Sequence, residues 1–289
     1  MVRHVDSEMV FQQIKRRPRD CHKGDFGRLM LVVGSKNFPG AAIIASKAAY
    51  RSGCGYCFTA SLAEVLDKVI VNVLEVCAVL LNERDGHISS ESIPELTERI
   101  QKMDAVGFGC GITVNDDTEA VLSALLQCNK PLVIDADGLN VLSRDINLLK
   151  TKNCQVILTP HIGEFKRLSG IDMTVVDDKA AVLKSFADEY QVTVVLKGAD
   201  TYVASCFSDE VYHLDNGTPG MAKAGSGDGL TGIISSLLAQ GLSPVNAAMC
   251  GCWIHNEAGS MAAEKHSRMG MLVSDLIDCI GDVFLKYDR

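Results

Sequence analysis

From Arg28 onward, short apolar runs rich in β-branched residues alternate with longer stretches of helical pattern, and this alternation constrains the fold more than any other feature. "LMLVVG" reads as a buried strand, and "GAAIIASKAAYRSG" (40–53) as a small-residue helix closed by Gly53, the usual C-terminal cap residue. "YCFTAS" (56–61) reads as the next strand. "SSESIPELTERIQKM" (89–103) opens with Ser, Glu and Pro start signals and reads as a helix. It leads into "DAVGFGCG" (104–111), a strand that runs into a glycine loop. The pattern then repeats: helix "DTEAVLSALLQ" (117–127), strand "PLVIDADG" (131–138), strand "CQVILTPH" (154–161), helix "DDKAAVLKSFADEY" (177–190) and strand "QVTVVLKG" (191–198). A hairpin of "TYVASC" with "EVYHL" follows, then three helices near 227–241, 244–265 and 270–287. Such alternation predicts an α/β fold with a mostly parallel sheet covered on both faces.

The chain has 289 residues, 47% hydrophobic and 22% charged, with no Pro/Gly/Ser linker, low-complexity segment or internal repeat. A chain of this length buries roughly three quarters of its unfolded surface, and a single domain over 1–289 is the expectation. The net charge of −8 argues against nucleic acid as a partner, because phosphate backbones select basic surfaces. A small anionic ligand stays open, since it needs only a nest of N–H groups and one or two cations. The 11 cysteines, scattered from Cys21 to Cys279, form no disulfide framework and fit a reducing compartment. The first 25 residues lack an apolar stretch of signal-peptide length. No window reaches the ~18 consecutive apolar residues of a membrane span. A cytoplasmic protein without a membrane partner is expected.

In parallel sheets ligands sit at the carboxyl ends of the strands. Here those ends carry Gly34-Ser35, Gly107-Phe108-Gly109-Cys110-Gly111, Asp135-Ala136-Asp137, Thr159-Pro160-His161 and Lys197-Gly198. Glycines, carboxylates, a histidine and a lysine thus share one predicted edge. The run "GMAKAGSGDGLTG" (220–232) adds small residues around one carboxylate, Asp228. It lacks the GK[ST] ending of a P-loop and the placement of a Rossmann fingerprint. Asp228 reads in two ways. It is a helix cap or first-turn acid, favoured there by about 0.3–1 kcal/mol. Or it takes a proton from an incoming hydroxyl while the N–H groups of 225–228 hold a phosphate. The crowding of Gly220, Gly225 and Gly227 around it exceeds what a cap needs.

These stretches together resemble the ADP/ATP-dependent NAD(P)H-hydrate dehydratases, the carbohydrate-kinase-related family of the ribokinase-like superfamily. The matching segments are "HKGDFGRLMLVVGS" (22–35), "FPGAAIIASKAAYRSGCG" (38–55), "GFGCG" (107–111), "PLVIDADGLNVL" (131–142), "LTPHIGEFKRL" (158–168), "VVLKGADTYV" (194–203) and "GTPGMAKAGSGDGLTGIISSLLAQG" (217–241). They run in order to beyond "HNEAG" (255–259) and cover nearly the whole chain. The resemblance implies a three-layer α/β/α sandwich. It implies that ADP or ATP phosphorylates the ring hydroxyl of hydrated NADH or NADPH (NADHX, NADPHX), and that loss of phosphate restores the dinucleotide. Hydroxide leaves poorly and phosphate well.

Carried onto this chain, the resemblance makes Asp228 the base that contacts the hydrated ring. It places the adenine nucleotide along Lys197, Gly198, Ala199, Asp200 and Thr201 and against Gly225, Ser226 and Gly227. It assigns Ala42, Gly111 and His161 to the NAD(P)HX substrate, and Glu164 to the phosphates or Mg²⁺, directly or not. Asp135 and Asp137 end a strand beside the same pocket. It further implies a homotetramer and an NAD(P)HX epimerase encoded elsewhere, since only about 20 residues precede "HKGDFG" here. Plainer readings stand beside these: helix–sheet packing for Ala42, turn chemistry for Gly111, a loop hydrogen bond for His161, a solvated charge for Lys197, and helix capping for Asp135 and Asp137.

The chain departs from the family pattern at Gly229, which loosens the first turn after Asp228 by up to ~1 kcal/mol, and at Lys223, a phosphate contact or a surface lysine. "CGYC" (54–57) follows a helix cap and enters a buried strand, so two apolar fillers are expected rather than a redox motif. "CGC" (250–252) has no second ligand pair for zinc, and "RRPR" (16–19) is too short to argue for nucleic acid. Two other readings share the glycine nest: a thiazole or hydroxymethylpyrimidine kinase that keeps its phosphorylated product, and a nucleotide sensor without turnover.

Overall fold

The computed structural model describes residues 1–287. The chain opens with β1 (Val2–His4) and α1 (Ser7–Gln13), then builds β2 (Arg28–Val32), α2 (Pro39–Arg51), β3 (Tyr56–Ser61), α3 (Ala63–Asn72) and β4 (Cys77–Leu80). A small hairpin, β5 (Glu83–Arg84) and β6 (His87–Ile88), precedes α4 (Ile93–Ile100), β7 (Ala105–Phe108), α5 (Asp116–Gln127), β8 (Leu132–Ile134) and α6 (Asp137–Leu142). Next come β9 (Val156–Leu158), α7 (Ile162–Ser169), α8 (Lys179–Tyr190), β10 (Thr193–Leu196), β11 (Thr201–Ser205) and β12 (Val211–Leu214). Three helices close the described chain: α9 (Ser226–Ala239), α10 (Pro244–Gly270) and α11 (Val273–Tyr287).

Ten strands form one sheet in the order β1-β12-β11-β10-β9-β8-β7-β2-β3-β4. Only β11 runs against its neighbours, as the expected hairpin requires. On one face α1, α2, α9, α10 and α11 pack together, and on the other α4 to α8 form a second layer. The central strands are buried on both faces, which is why they read as unbroken apolar runs. The three-layer α/β/α sandwich expected from the sequence is the fold.

Register explains where a site can form. Val32 pairs with Phe108, Phe108 with Ile134, and Ile134 with Leu158. The strands therefore end level, and Gly34, Gly109, Asp135 and Thr159 emerge along one rim. Helix starts are written into the next residues. Asn115 caps α5 by accepting from Thr118 N at 2.9 Å, with Asp116, Asp117 and Glu119 in its first turn. His161 and Glu164 form a reciprocal capping box on α7.

Several elements carry no clear sequence signal. β1 has three exposed residues and is held by parallel pairing to β12. α3, β4 and the β5–β6 hairpin occupy the sheet margin, and α6 and α7 begin directly at the strand ends. α10 continues past 265 to Gly270, broken by Ser267 at φ 66°. Between the layers, α9 lies almost against α2: a Cβ on Gly232 would stand 2.3 Å from the Ala45 carbonyl oxygen. Gly229, one turn earlier, has room, with the nearest atom 3.9 Å from its Cβ position. Gly232→Ala should therefore destabilise by about 1–3 kcal/mol through overpacking. Gly229→Ala should stabilise by up to about 1 kcal/mol. Thermal melts of the two variants should move in opposite directions, and a shared direction would refute this account of α9.

Candidate functional site

Strand ends and the start of α9 bring four charged groups together. Asp135 leaves β8 and Lys197 follows β10, and Lys197 Nζ donates to Asp135 Oδ1 at 2.7 Å. The pair lies deep, with 20% of the Lys197 side chain and 2% of the Asp135 side chain exposed. Thr231 Oγ1, one turn into α9, donates to Asp135 Oδ2 at 2.8 Å. Glu164 Oε2 is 3.8 Å from Lys197 Nζ and accepts the His161 N–H at 2.8 Å. Burial alone would lower the proton affinity of Lys197, but Asp135 and Glu164 outweigh it and hold it above the usual lysine range. Burial raises the Glu164 carboxyl, and Lys197 offsets part of that rise.

α9 starts over this pair. Gly225 occupies the cap position at φ 95°, a left-handed conformation that suits glycine, and no side chain caps the helix. Gly229 N bonds the Gly225 carbonyl and Ser226 N that of Lys223, whereas the N–H groups of Gly227 and Asp228 find no protein acceptor among the described residues. Those are the orphan donors of a helix start, aligned with the positive end of its dipole. Gly227 leaves room here, because a Cβ would come within 3.3 Å of Lys197 Nζ and 3.4 Å of Asp135 Oδ2.

Asp228 is half-buried beside these donors. Burial first, then the Asp135 carboxylate, push its carboxyl up to about 6, with the Cys110 thiol and Lys197 pulling the other way. It thus combines a proton affinity near neutrality with a place next to an anion nest, a favourable state for a general base. Ala136, beside Asp135, sits at φ 49°, ψ −118°, a strained conformation of the kind found at functional sites.

A cavity of ≈ 880 Å³ opens over this centre. Its walls include Lys197, Gly198, Ala199, Asp200, Thr201, Ser226, Gly227, Asp228 and His161, so most residues expected from sequence share one space. Thr201 Oγ1 bonds the Gly198 carbonyl at 3.2 Å, and Asp200 Oδ1 meets His213 Nε2 at 3.0 Å, shaping the 197–201 turn. Gly225, Ala42, Gly111 and Glu164 are not among the lining residues. The Ala42 side chain is fully buried, and its methyl closes against Gly34. Gly111 lies instead against Phe38 and Ala41, on the β2–β7 side of Asp228. Cys110, buried next to Gly111, links that side to Asp228 and Thr231. Asp137 accepts the Thr113 N–H at 2.9 Å and so fixes the loop after Gly111. Lys223 lines the cavity but directs Nζ to the Met269 carbonyl at 3.1 Å.

Sequence reasoning left out His255, Asn256 and Thr231. All three are interior residues of α9 and α10 that reach the site only through helix packing, and the one trace of them was the "HNEAG" stretch. Among the described residues no three His, Cys, Asp or Glu side chains gather as a metal site. None of the helices is long and apolar enough to cross a membrane, again among the described residues.

A mostly parallel sheet between two helical layers, with a carboxylate and orphan amides at the start of a late helix, defines a ribokinase-like α/β/α protein. The profile of the NAD(P)H-hydrate dehydratase family matches residues 29–281, and the chain belongs to that family. It is 36% identical to the bifunctional NAD(P)H-hydrate repair enzyme Nnr of Moorella thermoacetica, over 95% of this chain and 51% of that protein. It is also 36% identical to the ADP-dependent (S)-NAD(P)H-hydrate dehydratase of Neisseria meningitidis serogroup B, over 87% of this chain and 82% of that one. The Bacillus subtilis ADP/ATP-dependent NAD(P)H-hydrate dehydratase, co-crystallized with ATP/Mg²⁺, superposes with a TM-score of 0.83 at 27% identity, covering 97% and 96% of the two chains. The chain spans about half the length of the bifunctional relatives it matches.

The raised Asp228 carboxyl has a thermodynamic signature. The folded state binds its proton more tightly than the unfolded state, so stability falls as pH climbs from 3.8 to about 6 and the full penalty persists above. Asp228→Asn removes the charge. Its melting temperature should exceed that of the wild type by a few degrees above pH 7, and the gap should shrink toward pH 4. A gap that does not vary with pH would mean that Asp228 titrates as an ordinary carboxylate.

Proposed function

We propose that this chain dehydrates the S form of hydrated NADH or NADPH, using ADP or ATP as phosphoryl donor and releasing AMP or ADP with phosphate. The observation that carries the proposal is Asp228, a half-buried carboxylate with a raised proton affinity, set beside the two unpaired amides of α9. In this reading the adenine nucleotide lies along Lys197, Gly198, Ala199, Asp200 and Thr201, with its terminal phosphate at the amides of Gly227 and Asp228. The hydrated ring approaches Asp228 from the side of Gly111, near Ala42 and His161. Asp228 accepts the proton as the ring hydroxyl attacks phosphorus. Preorganised N–H donors and Lys197 stabilise the charge that develops on the phosphoryl oxygens. The C–O bond to phosphate then breaks, the neighbouring ring carbon gives up a proton to the departing phosphate or to water, and the ring double bond forms, which returns the dihydronicotinamide.

Mg²⁺ is proposed as the cation that offsets polyphosphate charge. The donor set fits an indirect role for Glu164, because its carboxylate already serves the α7 cap and Lys197, and the phosphates would supply most ligands. We assign the described residues to one catalytic domain and a cytoplasmic setting, supported by eleven free cysteines. A homotetramer is proposed as well. The small-residue faces of α2 and α9 are taken up by each other, so subunit contact falls to apolar surface such as Val71 on α3, Leu74 just after it and Leu80 on the edge strand β4. An epimerase interconverting the two hydrate forms is the proposed functional partner.

The test is recovery of the 340 nm absorbance of chemically prepared NADHX with Mg²⁺ and either ADP or ATP. Recovery with one nucleotide identifies the reaction and its donor. No recovery on folded protein that binds ADP would sink the dehydratase and point to a kinase acting on another hydroxyl. Asp228→Asn should lower kcat by about 10²–10⁴-fold. The acid limb of the wild-type rate should fall near pH 6, with activity rising as Asp228 loses its proton.

A further inference from the structure

The peptide between Ser226 and Gly227 is gripped on one side and open on the other. His255 stands in mid-α10, 5% exposed, and its Nε2 lies 3.0 Å from the Ser226 carbonyl oxygen and 3.4 Å from Ser226 Oγ. A carbonyl only accepts, so Nε2 must carry the proton. Burial pushes the imidazole down to about 4, which leaves it a neutral donor at physiological pH. The surrounding turn of α10 is itself braced, with Asn256 donating to Asn216 Oδ1 at 3.1 Å and Asn216 to the Trp253 carbonyl at 3.3 Å.

A trans peptide is planar, and its C=O and N–H point in opposite directions. Fixing the Ser226 carbonyl therefore fixes the Gly227 N–H, one of the two donors without a protein acceptor. The Ser226 carbonyl lies in the first turn of the α9 ladder, and His255 adds a second donor to it at a turn where Gly225 is left-handed and Gly227 brings no side chain of its own. We propose that His255 is a positioning residue: by holding the Ser226 carbonyl it aims the Gly227 N–H into the cavity, toward the terminal phosphate of a nucleoside di- or triphosphate. A neutral donor suits the task. Lys197 already supplies the cation beside Gly227. The inference rests on the phosphoryl-transfer reading, yet it predicts binding and not turnover.

The experiment is calorimetric titration of the full chain with ADP and with adenosine, for the wild type, His255→Leu and His255→Gln. The Gln amide can reach the same carbonyl and Leu cannot donate. Loss of an aligned donor to a charged group should weaken ADP about tenfold in His255→Leu, with adenosine changed less than about twofold, and Gln should restore most of the loss. Parallel weakening of ADP and adenosine, no weakening, or a Gln variant as weak as Leu would each overturn the proposal. Where the Leu variant fails to fold, the ¹H–¹⁵N signal of His255 Nε2 in the wild type carries the test. It should shift with ADP and stay still with adenosine, and an unmoved signal would overturn the proposal. Failure of NADHX turnover with intact discrimination of ADP from adenosine would count against the reaction alone.

Discussion

The Lys197–Asp135 pair is the contact on which the rest of the site depends. Two charges this far from water are costly to bring together, and a lone partner would be worse, by about 3–5 kcal/mol. The fold meets that requirement by level strand ends on either side of β9 and by a hydroxyl, Thr231, that occupies the second oxygen of Asp135. Gly227 keeps the pair unhindered, because a Cβ there would sit 3.3 Å from Lys197 Nζ and 3.4 Å from Asp135 Oδ2. The pair also sets the field at Asp228. Asp135 raises its proton affinity and Lys197 lowers it, and burial tips the balance upward. One buried ion pair thus links the sheet, the start of α9 and the acid–base state of the candidate base.

A carboxylate in a phosphate cradle looks contradictory until directions are considered. The amides of Gly227 and Asp228 point along the α9 axis toward the cavity, while the Asp228 side chain leaves the helix beside Cys110. In the proposed reading, phosphate and carboxylate would occupy different sides of one turn. The small residues around them have separate causes. Gly225 supplies a left-handed φ, Gly227 clears the ion pair, and Gly232 lets α9 approach the α2 backbone. Gly220 is small because a Cβ there would meet Met271 Sδ at 2.5 Å, a matter of loop packing alone. Gly229 answers to none of these needs.

The parts of the fold that were legible in the sequence are those buried on two faces. β2, β7, β8, β9 and β10 appear as apolar runs because both sides of each strand are core. β1 and β4 were not legible, since an edge strand is defined by its neighbour's hydrogen bonds and needs little apolar pattern. The site divides in the same way. Lys197 was visible because it ends an apolar strand, and Asp228 because more glycines crowd around it than a helix cap needs. His255 was not, since its role is a hydrogen bond to a residue 29 positions away across a helix interface. Ala42 shows the opposite case, a family position whose side chain here is wholly inside the core.

Asp228 also stands where two differently built regions meet. Toward β10 the walls are the 197–201 turn and the loop through Thr218 and Met221, held by β-sheet hydrogen bonds and short contacts. Toward β2 and β7 the backbone bends through Gly34, Gly109 and Gly111, all at positive φ, and relies on side chains for shape. Asp137 holds the Thr113 end of that loop. Nearby, Lys36 N bonds the Gly86 carbonyl at the tip of the β5–β6 hairpin, and Arg84 of that hairpin is anchored by both oxygens of Asp117. The Asp117 carboxyl is held down to about 2, chiefly by the hydrogen bonds of Ser90, so this anchor keeps its charge across the neutral range. The wall formed by the 197–201 turn and the clamped glycine side leave Asp228 between them. That is the placement an acid–base residue needs when a proton must leave one bound molecule as a phosphoryl group arrives from the other.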